Sequence, residues 1–167
     1  MSEVQFRIET ATERDVALIL KFIKGLAEYE RLEREVVATE ESLRATLFGA
    51  RPSAEVLIGY GGSDAAGFAL FFHNYSTFLG RPGIYIEDIF VLPEWRGRGL
   101  GKQLLTRIAG LAVERECGRL EWSVLDWNET AIRFYRRHGA RAMEEWTVYR
   151  ITGDSLVRLA SERDPNK

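Results

Sequence analysis

The first part of the chain changes from a strand-like to a helix-like pattern of apolar positions. Residues 4–9 alternate apolar and polar side chains, which predicts a strand. From Thr12 to Ala27 the apolar positions recur at helical spacing, and a charged stretch continues to Glu35. Thr39 is placed to begin a second helix, because threonine is a good N-cap residue. One strand and two helices are therefore predicted.

Three short apolar runs follow in the middle of the chain. Residues 56–60 and 66–72 flank the sequence Gly-Gly-Ser-Asp, a pattern typical of a β-hairpin. Residues 84–92 form a third run, which Glu87 and Asp88 interrupt. We therefore expect three consecutive strands, the third of which carries two carboxylates among apolar side chains.

The last part of the chain alternates helix and strand patterns. The expected elements are a helix over 100–112, a strand over 120–125, a helix from Asn128 or Thr130 to Gly139, a strand over 146–151 and a short helix over 154–160. Adjacent strands followed by strand–helix alternation predict an α/β (α+β) fold, with a mixed sheet and helices on both of its faces.

Composition narrows the class of protein. The chain has 167 residues, of which 46% are hydrophobic and 29% charged, which is typical of one globular domain over residues 1–167. The net charge of −2 offers no basic field for nucleic acid, and no apolar run is long enough for a membrane span. A single cysteine, Cys117, argues against a disulfide or a cysteine-rich zinc site, and no metal is expected. Without an apolar leader, a cytoplasmic location is expected.

Residues 94–102 read Glu-Trp-Arg-Gly-Arg-Gly-Leu-Gly-Lys, directly before a helical pattern. A Rossmann fingerprint requires glycine where Lys102 stands, and the spacing from Gly97 to Gly101 is too short for a Walker A loop. A glycine-rich turn at a helix N-terminus still exposes backbone amides that hold a pyrophosphate without a metal. The alternative is a solvated strand-to-helix turn that binds nothing.

The surroundings of this turn resemble the GNAT superfamily of N-acetyltransferases. Arg96, Gly99 and Gly101 form the pattern Arg-x-x-Gly-x-Gly after the third apolar strand, and Asn128 precedes the pattern Phe-Tyr-x-x-x-Gly that begins at Phe134. The stretches IKGLAEYE, YIEDIFVLPEWRGRGLG and VLDWN resemble the branch of spermidine/spermine and thialysine acetyltransferases. The resemblance implies an acyltransferase with the GNAT fold, whose mostly antiparallel sheet is splayed at the cofactor site.

The resemblance also implies acetyl-CoA as the donor and a set of residues that hold it. The glycine-rich turn would bind the pyrophosphate, and the strand before it would pair with the pantetheine arm. Asn128 would contact the cofactor, although it also suits a plain N-cap role. The implied cofactor contacts are Ile89, Phe90, Val91, Arg96, Gly97, Arg98, Gly99, Leu100, Gly101, Lys102, Asn128, Glu129, Thr130, Ala131 and Tyr135.

Two catalytic residues are implied by the resemblance. Tyr135 would donate to the leaving thiolate, which a tyrosine pKa of about 10 allows, and the alternative is a packed helix aromatic. Glu87 would bind the amine and relay its proton through water, and the alternative is a satisfied structural carboxylate. Asp88 would point to the opposite face unless a bulge intervenes, and a structural role is favoured for it.

The implied substrate-binding residues are Tyr29, Glu30, Glu87, Glu121, Trp122 and Ser123. Carboxylates suit a cationic amine, although Tyr29 and Glu30 can also belong to a solvated helix end. Ser76 and Phe78 stand where polyamine-specific members carry an acidic residue and a tryptophan, which favours thialysine, a lysine-like amine or a small diamine. A homodimer is the family expectation, with residues 146–151 involved.

Three functions stay open at this point. The first is direct acetyl transfer to the primary amine of a small molecule, since no serine or cysteine nucleophile motif is visible. The second is acetylation of a protein or peptide. The third is a non-catalytic module that binds acyl-CoA.

Overall fold

In the computed structural model, which describes residues 5–162, the chain divides into two compact units. One ends at Ser123 and the other begins at Val124. The single domain expected over the whole chain stays a prediction. None of the helices between residues 5 and 162 is long and apolar enough to cross a membrane.

The first unit contains the strands and helices that the patterns predicted up to residue 122. In chain order they are β1 (Phe6–Thr10), α1 (Val16–Glu30), α2 (Glu40–Phe48), β2 (Glu55–Gly61), β3 (Asp64–Ser76), β4 (Arg81–Val91), α3 (Leu100–Glu114) and β5 (Leu120–Trp122). Thr39 caps α2 as expected, because its hydroxyl accepts a hydrogen bond from the Ser42 amide. The last strand is shorter than the predicted 120–125.

The strands form one sheet in the order β1-β2-β3-β4-β5. The first four strands pair antiparallel, and β4 pairs parallel with β5. This last pairing joins only residues 84–86 to residues 120–122, whereas β4 continues to Val91. The mixed, mostly antiparallel sheet is therefore confirmed, and its pairing with β5 stops halfway along β4.

Alternation along the strands places helices on both faces. Val56, Ile58 and Phe68 pack with residues of α1 in one buried cluster, where the rings of Phe22 and Phe68 stack 5.3 Å apart. Gly59 faces the other way, and a Cβ there would lie 2.5 Å from a methyl group of Leu100. Because neighbouring residues of a strand point to opposite faces, α3 covers the face opposite α1.

The second unit, described from Val124 to residue 162, contains α4 (Glu129–Arg137) and α5 (Gly153–Ser161). The strand predicted over 146–151 is wrong, because these residues form neither helix nor strand. Its pattern of apolar side chains suits a strand, but a strand must pair its backbone groups with a neighbour, and no other strand forms among residues 124–162. Trp146 and Tyr149 are accordingly 73% and 91% exposed.

Candidate active site

The glycine turn, residues 97–102, lies after β4 and includes the first three residues of α3. Gly97 and Gly99 have φ angles of 73° and 94°, in the left-handed region that favours glycine. A Cβ at either residue would have no atom within 4 Å, so this side of the turn faces open space. The sequence pattern Gly-x-Gly thus forms a tight turn with an uncovered outer side.

The turn presents unpaired backbone amides. The first hydrogen bond within α3 runs from the Gln103 amide to the Gly99 carbonyl, at 3.1 Å. The amides of residues 100–102 precede it, so they have no acceptor inside this helix of 15 residues. The helix dipole adds partial positive charge at the same end. Such an arrangement suits an anion, and the pyrophosphate site stays a prediction.

The two arginines of the turn region lie against aromatic rings. The guanidinium carbon of Arg98 is 5.3 Å from the centre of the Trp95 ring, and that of Arg96 is 4.7 Å from the centre of the Tyr29 ring. The Nε atom of Arg96 also donates to the Val91 carbonyl at 2.9 Å. Lys102 is exposed on the first turn of α3. Each exposed guanidinium group thus contacts an aromatic ring, and that of Arg96 also has a hydrogen bond to the backbone.

At the end of β4, the edge that faces away from β3 is not paired with β5. The Leu92 amide donates to the Ala66 carbonyl of β3, at 2.9 Å. Because backbone groups alternate between the two edges of a strand, those of Ile89 and Val91 point to the opposite edge, beyond the last residue paired with β5. The buried ring of Phe90 packs in the core on the α1 face. Of the three predicted pantetheine contacts, Ile89 and Val91 therefore direct backbone groups to this edge.

A β-bulge separates Glu87 from Asp88. Leu70 of β3 lies opposite Asp88 and the next residue, Phe71, lies opposite Ile86, so Glu87 is the extra residue. Glu87 is exposed and Asp88 is partly buried. The alternation of a regular strand therefore does not hold here, so the expectation that Asp88 points to the face opposite Glu87 does not apply.

The pKa of Asp88 is raised to about 7, chiefly by burial and in smaller part by the nearby charges of Glu87 and Glu30. Burial also raises the pKa of Glu30. We call Glu30, Glu87 and Asp88 the carboxylate cluster. The sequence analysis favoured a structural role for Asp88. The signal that could have indicated a functional role is the presence of two adjacent acidic residues in an apolar strand. Within residues 5–162, no group of His, Cys, Asp and Glu side chains is arranged to hold a metal ion.

The last turn of α1 carries Tyr29 and Glu30. The Leu32 amide donates to the Ala27 carbonyl at 2.8 Å, and Arg31 adopts a left-handed φ of 62°. These two features form a Schellman-type end, which closes the helix directly after Glu30. The packing of α1 then brings Glu30 close enough to β4 for its charge to affect Asp88.

The predicted substrate residues on and after β5 have partners within the first unit. Glu121 accepts from Arg119 Nε at 2.7 Å and from Asn74 Nδ2 at 3.0 Å. The Ser123 hydroxyl lies 2.6 Å from the Tyr85 hydroxyl, and Trp122 pairs with β4. The charge of Glu121 is therefore balanced by an arginine.

The remaining predicted residues lie in the second unit. Asn128 caps α4, because its side-chain oxygen accepts from the Ala131 amide at 3.2 Å. Tyr135 is partly buried on α4, with its ring 5.3 Å from that of Phe134. Glu129 and Thr130 are exposed on the first turn. The roles of these residues toward acetyl-CoA and in catalysis stay predictions.

Known proteins with similar sequences include several acetyltransferases. The family described as "Acetyltransferase (GNAT) family" matches residues 23–140. The thialysine N-epsilon-acetyltransferase of Sus scrofa is 40% identical, over 93% of this chain and 97% of that protein. The L-ornithine N5-acetyltransferase of Arabidopsis thaliana is 37% identical, over 92% of this chain and 87% of that protein.

A solved structure matches the fold over almost its whole length. An integron cassette protein from the mobile metagenome of V. cholerae superposes with a TM-score of 0.78 and 26% identity, over 94% of this chain and 98% of that one. These matches confirm the fold class and the resemblance to the thialysine acetyltransferases.

Proposed function

Because the chain belongs to the acetyltransferase (GNAT) family, we propose that it is an acetyl-CoA-dependent N-acetyltransferase for a short primary amine. The carboxylate cluster carries this proposal, since Glu30, Glu87 and Asp88 bring together negative charge that suits a cationic amine. The matched relatives are named for thialysine and L-ornithine, which supports a small molecule as the acceptor.

The first unit offers the groups that would hold the donor. Acetyl-CoA, when bound, supplies a thioester that a neutral amine attacks. The amides of residues 100–102 would bind its pyrophosphate at the positive end of α3. The backbone groups of Ile89 and the amide of Val91 would pair with the pantetheine amides, because the Val91 carbonyl is already bonded to Arg96.

The carboxylate cluster is suited to accept the proton of the amine. A lysine-like ammonium has a pKa of about 10.4, so it must lose a proton before it attacks. A carboxyl group whose pKa lies near 7 is matched to proton transfer at neutral pH. We propose that the exposed Glu87 faces the amine and relays its proton through water, with Asp88 beside it in the chain.

Tyr135 is the proposed acid for the departing thiolate. A hydroxyl with a pKa of about 10 is protonated at neutral pH and can donate to sulfur. Transfer would be direct, because no pair of nucleophile and base has been identified in the described residues. Asn128, which already caps α4, would contact the donor with the first turn of that helix.

We also propose that the protein is a homodimer. Trp146, Val148 and Tyr149 belong to a segment with a strand-like pattern, and all three are exposed. A second copy could supply the missing strand partner and cover these side chains. Sedimentation velocity checks this proposal, since the wild type should sediment as a dimer and Tyr149→Lys should shift it toward the monomer. A wild type that stays monomeric at high concentration contradicts it.

The test of the function is release of CoA from acetyl-CoA with thialysine, L-ornithine, lysine, putrescine, spermidine and spermine. One short amine should turn over, and Tyr135→Phe should slow it by about 10²-fold, the usual effect of removing an acid or base. Tyr75→Phe is the matched control, because Tyr75 is exposed near the end of β3.

Other outcomes would favour other functions. Preference for spermidine would contradict the inference from Ser76 and Phe78 but retain the chemistry. Acetylated cell protein, found by mass spectrometry without turnover of any small amine, would favour a protein or peptide substrate. Binding of acetyl-CoA without any transfer would favour a non-catalytic module.

A further inference from the structure

The side chain of Arg96 lies where α1, β4 and the glycine turn meet. Its Nε atom donates to the carbonyl of Val91, the last residue of β4, at 2.9 Å. Its guanidinium carbon is 4.7 Å from the centre of the Tyr29 ring and 5.6 Å from that of Phe90. A guanidinium can stack on aromatic rings and donate within its own plane at the same time, which the ammonium of lysine cannot.

Phe90 connects this contact to the body of α1. Its ring is 5% exposed and packs edge-on against Phe22, 6.5 Å away. A Cβ at Gly25 would lie 3.1 Å from the same ring, so α1 and β4 are in close contact there. Arg96 covers the end of this contact, where α1 reaches Tyr29.

The contact joins the two halves of the site. Tyr29 directly precedes Glu30 of the carboxylate cluster, and Arg96 directly precedes the glycine turn. The helix that carries Tyr29 ends one residue later, at Glu30. Any movement of Arg96 would therefore affect the position of both Glu30 and the glycine turn.

We infer that Arg96 is a positioning residue, which holds the last turn of α1, with Tyr29 and Glu30, against the start of the glycine turn. This rests on the proposed function, which assigns Glu30 to the amine and the turn to acetyl-CoA. Arg96 acts on amine binding through Tyr29, and direct contact with the pyrophosphate is not its main role.

Arg96→Lys tests this inference, because it keeps the charge and removes the stack. With saturating acetyl-CoA, the KM for thialysine should rise about tenfold, which is the range of a partly desolvated cation–π contact, while the Kd for CoA changes less than about threefold. The opposite pattern, a Kd for CoA raised about tenfold with an unchanged KM for thialysine, would identify Arg96 as a phosphate ligand and overturn the inference.

Arg7→Lys is the matched control. Arg7 lies on β1 with its guanidinium carbon 4.9 Å from the centre of the Tyr60 ring, so the same change removes a similar stack away from the site. Both constants should stay unchanged in this variant. If Arg7→Lys raises the KM for thialysine as much as Arg96→Lys does, the effect is not specific to the contact between Arg96 and Tyr29, and the inference fails.

A double-mutant cycle with Tyr29→Leu tests whether Arg96 affects amine binding through Tyr29. If Arg96 acts through Tyr29, then Arg96→Lys should add little to the KM for thialysine once Tyr29 is replaced. Fully additive effects would show that the two residues act separately, against the inference.

Hydrogen exchange separates this inference from the proposed function, because it needs no turnover. The amides of Arg31 and Leu32 close α1 through hydrogen bonds to its last turn. In the ligand-free protein they should exchange about tenfold faster in Arg96→Lys than in Arg7→Lys or the wild type. Unchanged exchange would overturn the inference, whereas a wild type that acetylates no amine would contradict only the proposed function.

Discussion

Strand β4 and the segment 146–151 have similar strand-forming side chains but very different surroundings. β4 lies between β3 and β5, and its residues Ile84, Ile86 and Phe90 are buried. The segment 146–151 pairs with no strand within the described chain, and its large side chains are exposed. The difference shows that the pattern alone does not make a strand, because the backbone must also find a partner.

The same rule operates inside β4. Its first half is paired on both edges, whereas the part beyond Ile86 has no β5 partner. The bulge at Glu87 lies where this pairing stops. The proposed chemistry is located there. An unpaired strand edge can bind the amides of the donor, and two carboxyl groups can bind a cationic acceptor.

The largest difference between the two regions should appear in stability. Phe90→Ala should lower the free energy of unfolding by about 3–5 kcal/mol, because it leaves a cavity between α1 and β4. Tyr149→Ala should change it by about 0.5 kcal/mol or less within one chain, because Tyr149 is 91% exposed. Urea unfolding at several protein concentrations measures both values.

The concentration series sharpens this comparison. A loss for Tyr149→Ala that depends on protein concentration would indicate that a second copy covers the segment, as the homodimer proposal expects. A loss similar to that of Phe90→Ala at every concentration would contradict the exposed setting of the segment.

The second prediction concerns pH and the bulge. The pKa of Asp88 is about 7 in the folded protein and 3.8 ordinarily, so the folded state keeps a proton that the unfolded state releases. Stability should therefore fall as pH rises from about 4 to about 7, by at most about 4 kcal/mol at 1.36 kcal/mol per pH unit, and less because Asp88 is only partly buried.

Urea unfolding of Asp88→Asn at pH 5 and pH 8 checks this dependence. The Asp88→Asn variant should lose most of the difference in stability between pH 5 and pH 8, whereas Asp64→Asn, exposed at the start of β3, should retain it. An unchanged pH dependence in Asp88→Asn would show that burial at the bulge does not control this titration.

The third prediction compares two left-handed glycines. Gly99→Ala in the glycine turn and Gly62→Ala in the β2–β3 turn should each lose about 1–2 kcal/mol, because both glycines have positive φ angles, of 94° and 65°. Only Gly99→Ala should also weaken CoA binding, by about tenfold or more, since its turn presents the amides of α3. Calorimetric titration measures the affinity of each variant for CoA. Equal affinities in the two variants would contradict the pyrophosphate site.

Much of the first unit could be predicted because its signals are local. The Gly-Gly-Ser-Asp turn, the threonine cap at Thr39 and the helical spacing after Gly101 each act within a few residues. The glycine turn was found in the same way. Its left-handed conformation favours glycine, so the glycines in the sequence were enough to predict a tight turn.

The rest depends on contacts between distant residues. The bulge at Glu87 is a matter of register against β3, so the sequence could name a bulge only as an alternative to regular alternation and could not place it. Arg96 was predicted as a cofactor contact from the motif, but its stack on Tyr29 exists only because α1 packs beside β4. The segment 146–151 fails as a strand for the same reason, since its pattern could not reveal the missing partner.

The most direct test of the account is the kcat/KM for acetylation of thialysine by the wild type and by Glu87→Gln, with Glu41→Gln on the exposed face of α2 as the control. We predict that the wild type forms acetylated product, that Glu87→Gln lowers kcat/KM by about 10²-fold and that Glu41→Gln does not. Equal rates for Glu87→Gln and the wild type would contradict the role of the carboxylate cluster in binding and deprotonating the amine.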